Sequence, residues 1–550
     1  MIIESKKRKL YVVGAICAVA LLSTCVVVFK PSSVISFVRT ALQPILALKP
    51  IIIWRAGGEE AYLAKTLARQ LSVNNSEAPP TRVIETSRLP IRTQYVSLPK
   101  GFPEGAGALA ALDDKLLVMS RTGIFYQYQS GNFLQLDWGK LPNGLNEYIL
   151  RSNAQLNSDT MRAISLAYDQ ASQRIFVGYT KYVNPKTNRF AISSLEVDPR
   201  TLKGKANWKT EYESDLFDTM EMSHGGGGRL IVRNGALYFS VGYADTSIKI
   251  NGKIVPASQN PNSSFGKIFK LNIKSRQIEL ISIGHRNVQG MAFTRTGELL
   301  SAEHGPQGGD EINLVVKGSN FGWPYRTYGT DYGSYTHVPG GASGAPWEVP
   351  TAFKSDEPMY AFVPSVALSP IQLIEGFHAE WDGDMLAGSL KAQSLFRLVV
   401  RSGRVVVSEP IWMGHRIRDI VLVPGYGIVL LMDDSLLAFL SVEETLLRAN
   451  KKNAGYNFEL KIQRCLVCHH FEHSTPASLA PSLANVLGRK MGGDTFDKYS
   501  EAMKKTSGVW SKDRLSAYLA NPQSVVPGTT MPTLGLSAEE VNDIVAILTR

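Results

Sequence analysis

The stretch GHRNVQGMAFTRTGELLSAEHGPQGGDEINLVVKGSNFGWP, residues 284–324, decides how the rest of the chain is read. It contains three runs with strand character, VQGMAF, ELLSAE and EINLVV, bounded by Gly, Asn and Asp. The unusual residues crowd the joints between them. Arg286 and Asn287 precede the first run, and HGPQGGD follows the second. In an antiparallel meander, the start of the first strand and the end of the second lie at one end of the sheet. Arg286, Asn287, His304, Gly305, Pro306 and Asp310 are therefore expected to meet on one face.

Outward from this stretch, similar strand pairs recur between about residues 95 and 445. They are KLLVMS with GIFYQY, RIFVGY with AISSLEV, ALYFSV with GKIFKLN, ELLSAE with EINLVV, DMLAG with SLFRLVV, and GIVLLM with SLLAFL. Six copies at intervals of roughly sixty residues predict an all-β, six-bladed β-propeller, with a pair of β-sandwiches as the alternative. On that frame His224 precedes the first strand of the third repeat, and Arg286 and Asn287 that of the fourth. Arg416 and Arg418 flank the start of the sixth, while His304–Asp310 and Lys391 follow second strands of the fourth and fifth. Strand alternation puts all of them on one face. Arg286, Lys391, Arg416 and Arg418 around one cavity would repel unless an anion sits among them, and arginine favours bidentate carboxylate or phosphate partners. The His304–Asp310 segment is too rich in glycine for a regular element, so its carbonyls can turn inward, as a hard cation such as Ca²⁺ requires.

The ends of the chain differ in character. KKRK at Lys6–Lys9 is followed by an apolar run from Leu10 to Phe29. That run is long enough for a transmembrane helix, and the basic cluster should stay cytoplasmic. Residues 1–30 are thus expected to anchor the chain in the inner membrane, with everything downstream in the periplasm. A cleaved signal, or lipidation at LSTC (22–25), is the competing reading. Residues 31–94 are taken as a membrane-proximal segment and linker, with helical periodicity over Glu59–Leu71. The net charge is +11, but no basic stripe or motif accompanies it, so no nucleic-acid partner is expected. After about residue 450 helical periodicity returns, predicting a small all-α domain over 455–550. CLVCH at 465–469 is a C-x-x-C-H haem c attachment site: Cys465 and Cys468 for covalent attachment, His469 as the proximal iron ligand. A zinc site would need a second cysteine pair, and none follows.

GHRNVQG, EHGPQGGDEINLVVKGSNFGWP and HRIRD resemble the soluble quinoprotein glucose and aldose sugar dehydrogenases over roughly residues 95–440. The resemblance implies a six-bladed propeller holding pyrroloquinoline quinone and Ca²⁺. It makes Arg286 and Asn287 quinone contacts, with Lys391, Arg416 and Arg418 as partners of its carboxylates and ortho-quinone. Gly305 and Pro306 become carbonyl ligands of calcium, and His224 the general base that takes a sugar hydroxyl proton. The chain departs from the family after the next strand, where Gly-Asp is usual and Gly242-Tyr243 stands here, with Asp245 two residues on. APSLANVLGR, YSEAMKK, Trp510, LSAYLANP and VPGTTMP resemble class I cytochrome c. That likeness makes Met531 the sixth iron ligand ahead of Met491 and Met503, and His470 a bystander. Together the resemblances imply an enzyme that oxidises the anomeric carbon of a sugar and passes electrons through its own haem to a respiratory acceptor. The alternative is a non-catalytic propeller serving as a docking module for an electron-transfer cytochrome.

Overall fold

The computed structural model describes residues 57–70, 77–103, 105, 107–151, 163–184, 187–218, 226–242, 247–250, 253–330, 347–444, 462–471 and 479–548. Runs such as KLLVMS and GIVLLM are apolar at almost every position, and the strands they form are buried on both faces. Strands of that kind need a sheet packed on each side. Arranging small sheets radially provides this, and the described strands form six antiparallel sheets around a central channel.

From the channel outward, blade one is Gly107–Leu112, Lys115–Ser120, Phe125–Gln129 and Asn132–Gln135. Blade two is Ala163–Asp169, Arg174–Tyr182, Thr187–Glu196 and Lys209–Glu213. Blade three is Leu230–Arg233, Ala236–Val241, Lys267–Asn272 and Ile278–Ile283, with a hairpin, Ser247–Ile250 and Lys253–Pro256, inserted after its second strand. Blade four is Val288–Phe293, Leu299–Glu303, Asp310–Val315 and Tyr360–Phe362; blade five is Leu368–Leu373, Met385–Ser389, Ser394–Arg401 and Arg404–Trp412. Blade six is Ile417–Val423, Gly427–Met432 and Leu436–Val442, completed by Pro90–Ser97 and edged by Arg82–Glu85 from the other end of the chain. The propeller therefore starts before residue 95. Two of its strands come from the segment read as linker, because their role is to close the ring rather than to repeat the strand pair.

Apolar layers fill the spaces between blades: Trp138, Leu166, Ile175 and Tyr179 between blades one and two, and Trp381, Leu395, Ile420 and Leu430 between five and six. Polar side chains stitch the channel-side edges, whose backbone groups have no strand partner. Ser165 Oγ accepts from Leu230 N (2.9 Å), Ser369 Oγ donates to Ile417 O (2.5 Å), and Asp419 Oδ2 accepts from Leu109 N (2.8 Å).

Outside the ring, helix α1 (Glu59–Gln70) follows the predicted periodicity and packs Tyr62 and Leu63 on Leu145, Tyr148 and Ile149 of α2 (Leu145–Arg151). The C-terminal unit is all-α: α3 (Gln463–Leu466), α4 (Glu501–Lys505), α5 (Lys512–Ala520), α6 (Pro522–Val525) and α7 (Ala538–Leu548). Ser500 and Ser511 cap α4 and α5 by accepting from Met503 N and Arg514 N, both at 3.2 Å. Trp510, Leu515, Tyr518, Val541 and Ile544 form its core. The expected anchor over residues 1–30 lies outside the described residues, and among those described no helix is long and apolar enough to cross a membrane.

Candidate active site

In a propeller the entry to each inner strand and the turn after each second strand share one face. The blade-four turn shows how the quoted stretch organises that face. Asp310 is fully buried; it accepts from Gly305 N (3.0 Å), Ser365 Oγ (2.9 Å) and Val366 N (2.9 Å), so it anchors the turn from within. Burial pushes its carboxyl above the usual range, against the pull of these bonds. Above it, Arg286 Nη1 donates to Gly305 O (2.8 Å) and His304 O (3.2 Å), and its guanidinium lies 5.2 Å from the Trp323 ring centre. Asn287 Nδ2 meets His304 Nδ1 at 3.3 Å, and Asn287 Oδ1 accepts from Gly227 N of the neighbouring blade (3.0 Å). The six residues expected together are together, with Asp310 beneath the others and Pro306 buried beside Gly305.

The same hydrogen-bonded chain runs on to blades five and six. Val366 O, next to the Asp310 anchor, accepts from Lys391 N (3.0 Å) and Ser389 Oγ (2.7 Å). Arg416 Nη1 reaches Leu390 O at 3.4 Å, and Arg416 Nε donates to Asp433 Oδ2 at 2.6 Å. Arg418 grips the same carboxylate with Nε and with Nη2, the latter at 3.1 Å. Burial alone would raise the pKa of Asp433, but Arg418 and Arg416 outweigh it and hold the carboxyl below its ordinary value. One carboxylate thus offsets part of the charge of Arg286, Lys391, Arg416 and Arg418, and Lys391 is exposed.

His224 itself lies outside the described residues, as do Tyr243 and Asp245. The segment after it, Gly226–Arg229, explains the glycine run. Gly227 (φ +53°) and Gly228 (φ +94°) adopt left-handed backbone. A Cβ on Gly227 would sit 2.6 Å from Gly242 N, and one on Gly228 would sit 2.3 Å from Ile164 Cδ1. Gly228→Ala is therefore expected to destabilise the propeller by about 2–4 kcal/mol, read as a lower denaturation midpoint with an unchanged slope.

The resemblance implies two groups at this face. A planar polyanion fits, since Arg286, Arg416 and Arg418 offer planar donor forks and Lys391 a fourth cation. Ca²⁺ takes about six to eight oxygens, water included; of these the loop would supply the Gly305 and Pro306 carbonyls, and Gly305 O accepts from the Arg286 guanidinium. Among the described residues there is no cluster of three or more His, Cys, Asp or Glu side chains suited to a metal.

At the second centre, Cys465 and Cys468 form no disulfide and lie on and just after α3. His469 Nδ1 donates to Pro481 O at 2.7 Å, which fixes the tautomer and leaves Nε2 for a metal. Burial outweighs that bond and lowers its pKa, so the ring is the neutral, ligating form. Met491 and Met503 are core residues, 2% and 5% exposed, whereas Met531 packs half-buried at the core's edge. The Met531 turn is held by Thr529, whose Oγ1 meets Tyr518 Oη at 2.6 Å and whose carbonyl accepts from Gln523 Nε2 at 2.7 Å. The residues fit a covalently held haem.

Sequence reading missed several supports of the site. Glu303 takes His285 Nδ1 (2.9 Å) and Arg286 N (2.8 Å), setting the backbone that presents Arg286. Lys267, fully buried, donates to Ala257 O, Ser258 O and Phe265 O, and burial pulls its pKa to about 7. That clamp shapes the loop whose Ser258 and Gln259 both bond Trp323 O, the residue under Arg286. Lys267 reads in sequence as a strand residue, and nothing marks it as buried. Asp433 carried a signal: it follows the second strand of the last repeat, the position His304 and Lys391 occupy in theirs.

A propeller with a cationic face beside a C-x-x-C-H helical unit defines a class, a quinoprotein-dehydrogenase-like ring joined to a cytochrome-like domain. The sequence model of the family described as glucose/sorbosone dehydrogenase matches residues 109–440, and the chain belongs to that family. It is 30% identical to aldose sugar dehydrogenase YliI of Escherichia coli (strain K12) over 220 residues, 38% of this chain and 57% of that protein. Its C-terminal region is similar to cytochromes c. The match to cytochrome c2 of Agrobacterium tumefaciens (strain II Chrys) is 35% identical over 94 residues, 16% of this chain and 85% of that protein. The chain spans about half the length of several curated relatives it matches. Among solved structures, the apo-form of the soluble aldose sugar dehydrogenase from Escherichia coli superposes with a TM-score of 0.51 at 22% identity. The superposition covers 64% of this chain and all of that one, which supports the six-bladed fold.

Proposed function

We propose that the chain is a quinoprotein aldose dehydrogenase that oxidises the anomeric carbon of a sugar to the lactone and relays the electrons through its own haem c to a respiratory acceptor. The observation that carries this reading is the hydrogen-bonded chain from Asn287 to Arg418, which gathers four cations from three blades on one face. Pyrroloquinoline quinone, when bound, supplies the two-electron acceptor for a hydride from the sugar. Arg416, Arg418 and Lys391 bind its carboxylates and Arg286 and Asn287 orient the ring, while the same cations favour negative charge developing at its oxygens. His224 takes the proton of the anomeric hydroxyl. Cys465 and Cys468 hold the haem, with His469 and Met531 as iron ligands. KKRK and the apolar run after it support an inner-membrane anchor with both folded units in the periplasm.

The test uses full-length protein matured with haem, supplied with Ca²⁺ and pyrroloquinoline quinone, and mixed with a panel of aldoses. Sugar-dependent bleaching of the oxidised haem spectrum, absent without quinone, is the expected result. Reduction of an added dye but not of the haem would keep the dehydrogenase and remove the relay. If neither is reduced and calorimetry shows no quinone binding, the docking cytochrome replaces this reading.

A further inference from the structure

One buried ion pair is not explained by the stitching of neighbouring blades. Arg229 Nη1 lies 2.6 Å from Asp419 Oδ1, with the two side chains 11% and 1% exposed. Arg229 precedes the inner strand of blade three, and Asp419 lies in that of blade six. In a ring of six these blades are opposite, so the contact spans the channel. Asp419 also accepts from Leu109 N and Ile420 N, which tie it to blade one and to its own strand. Arg229 ends the glycine segment, and its own N–H donates to Ser240 Oγ at 3.0 Å. Just beyond the pair, Ile231, Val232, Leu422 and Val423 line a separate cavity of about 1060 Å³ at the other end of the channel.

We propose that Arg229 and Asp419 are a positioning pair, a strut that sets the glycine segment of blade three against the arginine pair of blade six and closes the channel beneath the cationic face. The proposal rests on the quinone reading for its effect on the cofactor, but not for the strut itself. An electrostatic consequence distinguishes it from mere stabilisation. Asp419 is the next residue after Arg418, so its charge is felt at the cationic face. With Arg229 present that charge is cancelled. Without it, a buried carboxylate lies under a site that binds a polyanion. At a separation of about 10 Å and an effective dielectric of about 20, the repulsion corresponds to roughly tenfold in affinity for each unit of ligand charge that is not otherwise screened.

The experiment measures pyrroloquinoline quinone affinity of the full-length protein by tryptophan fluorescence, together with amide exchange of the quinone-free protein. Arg229→Met is expected to weaken binding roughly tenfold, and Asp419→Asn, which leaves the arginine, to leave it unchanged or tighter. The double variant Arg229→Met/Asp419→Asn is expected to return to within about threefold of the parent, the usual scatter for such cycles. In all three variants, exchange should quicken in peptides over 107–112 and 226–233, with the outer strands unaffected. Equal weakening by both single variants without recovery in the double would reduce the pair to a stabilising contact and overturn the proposal. Unchanged exchange in those peptides would overturn the strut. If the parent binds no quinone yet exchange quickens, the function fails and the strut stands.

Discussion

Replacing His224 by alanine is expected to lower aldose turnover by about 10²–10⁴-fold, the usual span for losing a general base. Quinone affinity should stay nearly unchanged, because the cations that hold it come from blades four to six. The size of the effect depends on how the imidazole is oriented. A carboxylate does this in the family pattern, but Gly242 is followed here by Tyr243, with Asp245 further on. Asp245→Asn therefore separates two cases. A fall in turnover approaching that of His224→Ala would make Asp245 the orienting group. No change would leave the histidine positioned by the backbone of its glycine segment, where Gly227 N is fixed on Asn287. Steady-state kinetics with a dye acceptor read both variants without involving the haem. Rates unchanged in His224→Ala would remove the base from the proposed mechanism.

The second large effect concerns the other end of the chain. Cys465→Ser/Cys468→Ser is expected to abolish covalent haem, seen as loss of the haem-stained band on a denaturing gel. Sugar-dependent dye reduction by the propeller should persist. A nearly complete separation is expected because the thiols and His469 sit on one short helix and the turn that follows it, while the cationic face is built from other elements. The variant should also lower the thermal stability of the C-terminal unit, since Cys465 is part of the core it shares with Trp510 and Val545. Haem that remains attached would displace the C-x-x-C-H assignment; loss of dye-linked activity along with the haem would mean that the two units do not function separately.

Much of this was legible in the residues, for reasons that differ from place to place. The apolar strand pairs exposed the blade count because each blade's middle strands are buried on both faces, so composition alone marks them. Arg286, Asn287, Arg416 and Arg418 were legible because strand entries have fixed positions in a meander. The closing strand Pro90–Ser97 was not, because its alternation of buried and exposed positions is that of any edge strand and its partner lies at the far end of the chain. The geometry of the Gly305–Pro306 turn was not legible either: sequence shows which carbonyls a loop carries but not that Arg286 reaches back to one of them. Lys267, Glu303 and Arg229 escaped because a charged residue in or beside a strand reads as solvated until its neighbours are known.

The closure of blade six bears on how the chain is made. Arg92 and Glu443, which pair across the seam, are 351 positions apart. Loop-closure entropy grows only logarithmically, by about 0.6 kcal/mol per doubling of length, so the seam costs little stability at equilibrium. It costs time. Until Leu436–Val442 has been synthesised, Pro90–Ser97 has only the short strand Arg82–Glu85 to pair with, and afterwards the nascent ring presents LLAFLSV as an open apolar edge until the seam forms. Cys465 and Cys468 follow that strand by about twenty residues, so sealing the ring and the proposed attachment of haem would fall on neighbouring parts of the chain. An assembly factor acting on one would meet the other unfinished.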